Sequence, residues 1–75
     1  MNTFITVTAI EWEVEGDELM SERSLVILNV DYIISISAVE HKLEQGFGVK
    51  SKISATNKTY LVAESQEELV EKIYA

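Results

Sequence analysis

Residues 49–75 read VKSKISATNKTYLVAESQEELVEKIYA, and within this stretch the hydrophobic period changes from two to about 3.6. Val49, Ser51, Ile53 and Ala55 alternate with Lys50, Lys52, Ser54 and Thr56, as a half-buried strand requires. Asn57-Lys58 offers a two-residue turn, and Thr59 to Ala63 returns as the second strand of a hairpin. From Ser65 the pattern is helical. Ser65 and Glu68 stand three apart as a capping box, in which hydroxyl and carboxylate satisfy N–H groups left unpaired in the first turn. Glu67 and Glu68 lie at the positive end of the helix dipole and Lys72 near the negative end. Leu69, Val70, Ile73 and Tyr74 form one apolar stripe. A helix of about ten residues does not persist alone in water, so it has to dock on the sheet or on a partner.

Toward the N-terminus the chain continues in strands. Ile33 to Val39 carries Ile34, Ile36 and Ala38 on one side and Ser35 and Ser37 on the other, and Asn29 to Tyr32 supplies a corner before it. Ser24 to Val30 is almost continuously apolar, which predicts a central strand with both faces covered. From Phe4 to Val14 the alternation changes phase: Ile5, Val7 and Ala9 are odd, Ile10, Trp12 and Val14 even. Such a slip calls for a β-bulge, a bend, or burial on both sides. Gly16-Asp17 reads as a turn, Glu18 to Arg23 as a polar loop, and Glu40 to Gly48 as a loop. The expected fold is α+β: an antiparallel sheet of four or five strands, flat or curled toward a barrel, with one C-terminal helix in a single domain spanning 1–75.

The composition bounds the chemistry. With no cysteine, the chain has no thiol nucleophile, redox pair or disulfide. The expectation is a chain of a reducing, cytoplasmic compartment, with no apolar run approaching the roughly 18–20 residues of a membrane span. The net charge of −7 is unevenly placed. Residues 1–40 hold eight acids against one base, Arg23, and residues 41–75 hold five of each. A nucleic-acid binder needs the opposite sign, so direct binding to DNA or RNA is not expected.

The stretch from Leu28-Asn29-Val30-Asp31-Tyr32-Ile33 to Ile36, continued by Asn57 to Ser65 and Glu67 to Ile73, resembles the FlbD-type small proteins of bacteria. Those proteins are associated with flagella and swarming, and similar short chains are carried by phages. The resemblance covers roughly half the chain, and it implies a strand, a corner, a β-hairpin and a capped helix in a chain of bacterial or phage source. It brings no catalytic residue. This chain departs from the pattern in lacking an early Leu-Asn-Gly turn, in a longer and more acidic Glu11 to Arg23 region, and in an expanded Glu40 to Gly48 segment.

Three places merit weighing as sites. His41 is the single histidine and has no identifiable partner for general-base or metal chemistry, so it reads as a surface loop residue. Gly46, Phe47 and Gly48 with Lys50 and Lys52 suggest a small anion-binding loop, or else a loop anchored by Phe47. The row Glu11, Glu13, Glu15, followed by Asp17 and Glu18, is either a solvated strand face that discourages edge pairing or a contact surface. Its carboxylates recur every 6.5 to 7 Å or so. That is comparable to the through-space spacing of successive phosphates on one DNA strand, so the row could imitate nucleic acid toward a basic protein. No cofactor, catalytic residue or metal site is expected. The function so read is non-enzymatic: a small acidic protein that contacts or inhibits a host protein, and a homo-oligomer. The alternatives are a homo-oligomeric sponge for a small nucleotide and an accessory subunit like the FlbD-type proteins.

Overall fold

A computed structural model describes all of residues 1–75. Five antiparallel strands form one sheet: β1 Phe4–Glu15, β2 Glu18–Asn29, β3 Ile33–Ala38, β4 Ser51–Ala55 and β5 Thr59–Val62. Helix α1, Lys42–Gly46, lies between β3 and β4, and helix α2, Gln66–Tyr74, closes the chain. The strand order is β2-β1-β5-β4-β3. The edge strands β2 and β3 are joined only by a 3₁₀ turn at Val30–Tyr32, so the sheet has to curve to bring their ends together. No ladder joins them, and the barrel left open by the sequence does not close.

The turn at Gly16-Asp17 decides the first hairpin. Gly16 has φ 63°, and no other residue but Gly48 is left-handed, which is the pattern of a two-residue turn with glycine first. Pairing runs without a shift from Glu15↔Glu18 to Phe4↔Asn29. The predicted polar loop from Glu18 to Arg23 is therefore strand. Its polarity reflects exposure, because this half of the hairpin projects beyond the other elements. Two twelve-residue strands at about 3.4 Å per residue span roughly 40 Å, and the molecule's long axis is 44 Å against 20 and 17 Å for the others.

The phase slip at Ala9-Ile10 is burial on both sides, with no bulge in the β1–β2 ladder. On one face Ile5, Val7, Leu28, Ile53 and Val62 pack under Leu69 and Ile73 of α2. On the other, Ile10 packs with Val39 and Val49, flanked by Trp12, Phe47, Leu61 and Ala63. The residues between Val39 and Val49 thus fold back over the second face. Of the predicted helical stripe, Leu69 and Ile73 are buried, while Val70 and Tyr74 face outward.

Two further expectations change. Ser24 to Val30 is not a central strand: β2 lies at the sheet edge, and only Leu28 in that stretch is buried. Its other apolar face has no layer over it. The segment Glu40–Gly48 contains α1, too short to announce itself by periodicity. His41 caps it, its Nδ1 accepting the Leu43 N–H at 3.2 Å. In β3 the register shifts between Ile33 and Ser35, so Ile34 is left out of the ladder and exposed while Ile36 turns inward.

The seam between β1 and β5 is thin. One bridge, Ala9↔Val62, joins them, reinforced by Ala63 N–H donating to Thr8 O and by Glu64, whose carboxylate accepts from Thr8 N–H at 2.8 Å and Thr8 Oγ at 2.9 Å. Such charge-assisted bonds are stronger than neutral ones and supply what the missing ladder does not.

Both halves of the capping box at Ser65 and Glu68 are formed. Ser65→Ala is expected to cost about 1 kcal/mol, read as a lower midpoint in chemical denaturation; an unchanged midpoint would show that the cap carries no stability. Ser51 presents the reverse case. Its hydroxyl is fully buried without a hydrogen-bond partner, and an unsatisfied buried polar group costs roughly 1–3 kcal/mol. Ser51→Ala removes it with little loss of volume, so the denaturation midpoint should stay level or rise; a fall would show that the hydroxyl has a partner in solution.

Candidate functional site

The hairpin arm has two unlike faces because side chains alternate along each strand and cross-strand partners share a face. Glu11, Glu13 and Glu15 lie on one face, and the register places Glu22, Met20 and Glu18 directly opposite them. Five glutamates therefore surround Met20, with Asp17 at the tip. Two pairs, Glu11 with Glu22 and Glu15 with Glu18, set like charges across the ladder, an arrangement that destabilises a sheet. All are exposed. The single ion pair in the structure joins Lys58 Nζ to Glu11 at 3.9 Å, and Lys58 also lies 4.8 Å from the centre of the Tyr60 ring. Glu13, Glu15, Glu18 and Glu22 have no internal cation.

The opposite face of the arm carries Trp12, Val14 and Leu19, with Ile10 and Arg23 at its root. Trp12 stacks on Phe47, centroids 5.2 Å apart and planes 12° from parallel. Arg23 Nη2 donates to Phe47 O at 3.3 Å. The arm is thus held at its base by an aromatic pair and a guanidinium, and free beyond.

The same contacts account for the glycine loop. Gly48 N–H donates to Gln45 O and Val49 N–H to Glu44 O, the Schellman arrangement that ends α1, with Gly48 at φ 89°. The left-handed backbone at Gly48 is what favours glycine there; a side chain would also displace the Arg23 guanidinium, which is the mobile end of an exposed side chain. Phe47 N–H is likewise bonded, to Leu43 O and Glu44 O. The N–H groups that would cradle an anion are committed within the chain, and the Phe47 ring is stacked on Trp12. Lys50 and Lys52 are exposed on the neighbouring strand and its approach.

The residues that carry the FlbD-type resemblance have architectural tasks. Asn29 Oδ1 accepts from Asp31 N–H to cap the 3₁₀ turn, Asn57 lies in the β4–β5 turn, and Ser65 with Glu68 caps α2. No three His, Asp or Glu side chains gather as a metal ion would need. No helix is long and apolar enough to cross a membrane. Comparison with protein-family models, with curated proteins and with solved structures finds no match.

Sequence reasoning placed Glu11, Glu13 and Glu15 together but omitted Glu22. The signal was present. A two-residue turn at Gly16-Asp17 fixes the pairing of Glu15 with Glu18, and counting outward sets Glu11 opposite Glu22.

Proposed function

We propose that this chain is a non-catalytic binding protein whose acidic arm engages a basic surface on another protein. The observation that carries the reading is the set of five glutamates on one face of a projecting ribbon, four of them in directly opposed pairs. In the free chain this arrangement is unfavourable. A cationic surface laid over the face converts the repulsion into attraction, so the stability lost by the free arm returns as binding energy. The shape supports the same reading, since the arm's tip is clear of every other element and can reach a concave or recessed partner.

Retention of partner proteins by the immobilised chain tests the proposal. The retained protein should be basic and should elute as salt is raised, because exposed charges are screened within about 8 Å at physiological ionic strength. A retained partner that is acidic, or one indifferent to salt, would overturn it.

A further inference from the structure

The two edges of the sheet differ in how they are protected. β3 is six residues long and irregular at Ile34, and Gln66 Nε2 from α2 donates to Ile36 O at 3.2 Å, covering part of its backbone. β2 is twelve residues long and has no proline and no register shift. Ala63 N–H donates to Thr8 O, so the even residues of β1 turn their backbone groups away from β2 and its odd residues bond to β2. By the register, the odd residues of β2, Leu19, Ser21, Arg23, Leu25 and Ile27, then direct N–H and C=O outward. Beside that open edge, Leu25 and Ile27 are 76% and 71% exposed, and Phe4 continues the apolar surface. Ser24 to Asn29 contains no charge. A long, regular edge whose Ser24–Asn29 half is uncharged and largely apolar is a template for pairing with another strand.

We infer that β2 pairs antiparallel with β2 of a second copy across a two-fold axis at Ser24, making one continuous sheet of both copies. This does not rest on the basic-partner reading, since the acidic row of β1 stays free. Charge and length of overlap together select the register. Outward-directed residues must pair with outward-directed ones, which restricts the axis to a residue position. An axis at Glu22 sets that carboxylate against its copy, and an axis at Arg23 does the same with two guanidinium groups. An axis at Leu25 shortens the overlap to residues 21–29. At Ser24, residues 19–29 of one copy face 29–19 of the other, with Arg23 beside Leu25, Glu22 beside Val26 and Met20 beside Leu28. No like charges are directly opposed. The uncharged half of each β2 is covered by the charged half of the other, and the acidic tips point to opposite ends of the dimer. Each arm, otherwise a bare two-stranded ribbon, gains the third strand that such ribbons need for stability in water.

The chain lacks cysteine, so a single introduced thiol reports the axis. At Ser24 the two copies form a non-hydrogen-bonded pair with Cα atoms about 4.5 Å apart, within disulfide range. Ser24→Cys should oxidise to a covalent dimer. Ser21→Cys should not, because the two copies of residue 21 lie about 20 Å apart at strand spacing. The unmodified chain should sediment as a dimer at micromolar concentration. Leu25→Lys, at an exposed site that leaves the monomer's core untouched, sets a second cation opposite Arg23 and should weaken the dimer about tenfold or more with the circular dichroism unchanged. A monomer that Ser24→Cys fails to cross-link would overturn the dimer. Cross-linking through Ser21→Cys as readily as through Ser24→Cys would overturn the register.

Discussion

Leu69→Ala is expected to lower stability by about 2–5 kcal/mol, because truncating a buried leucine loses transfer energy and leaves a cavity. Leu69 is completely buried and, with Ile73, is the means by which α2 covers Ile5, Val7, Leu28, Ile53 and Val62. The effect is large relative to the whole. At roughly 0.05–0.15 kcal/mol per residue, a chain of this length holds about 4–11 kcal/mol in all. A loss of about 3 kcal/mol in so small a domain moves the thermal midpoint by on the order of 15 °C. Val70→Ala is the control. Val70 is on the same helix but faces outward, and alanine is the better helix former, so its change should stay within about 0.5 kcal/mol. Equal effects from the two substitutions in thermal or chemical denaturation would mean that α2 does not dock through Leu69.

The triple substitution of Glu11, Glu13 and Glu15 by Gln should move stability and association in opposite directions. It lowers the net charge from −7 to −4 and removes both directly opposed carboxylate pairs, Glu11 with Glu22 and Glu15 with Glu18, while sacrificing the exposed contact to Lys58. Opposed like charges cost roughly 0.2–1 kcal/mol per pair, more than an exposed ion pair commonly returns. The midpoint of unfolding should therefore hold or rise. Association with the basic partner should slow about tenfold at low salt, since electrostatic steering raises association rates by factors of about 10–10³. The difference should shrink as salt is added. Stopped-flow or surface-based kinetics at two salt concentrations decide the matter. An unchanged association rate at low salt would reduce the row to a solubilising surface.

Much of this architecture is legible in residue order because its causes are local. A capping box acts within one turn, so Ser65 and Glu68 locate α2 without reference to any other element. Alternation acts within one strand, so it places Glu11, Glu13 and Glu15 on a common face whatever surrounds them. The β4–β5 turn was nearly so: Ala55 N–H donates to Lys58 O, which sets Thr56 and Asn57 at the tip, one residue earlier than the sequence suggested.

What periodicity does not carry is which faces are covered, because coverage depends on how many layers the chain can supply. The run from Ser24 to Val30 has the composition of a strand buried on both sides, yet β2 lies at an edge with Leu25 and Ile27 bare. The chain provides one docked helix and one folded-back segment: α2 covers one face of the sheet, reaching β2 at Leu28, and the folded-back segment lies over Ile10 on the other, so neither reaches Leu25 and Ile27. That allocation also explains Ala9 and Ile10, buried on opposite faces where α2 covers one side and Phe47 with its neighbours approaches the other. Helix α1 leaves no periodic signal for a related reason, being a single turn held by His41 at one end and Gly48 at the other, too brief for a hydrophobic period to emerge. Local chemistry thus determined the strands, the turns, the helix cap and the acidic row; the strand order and the uncovered edge were decided in three dimensions, where a chain this short has too few layers to cover five strands on both sides.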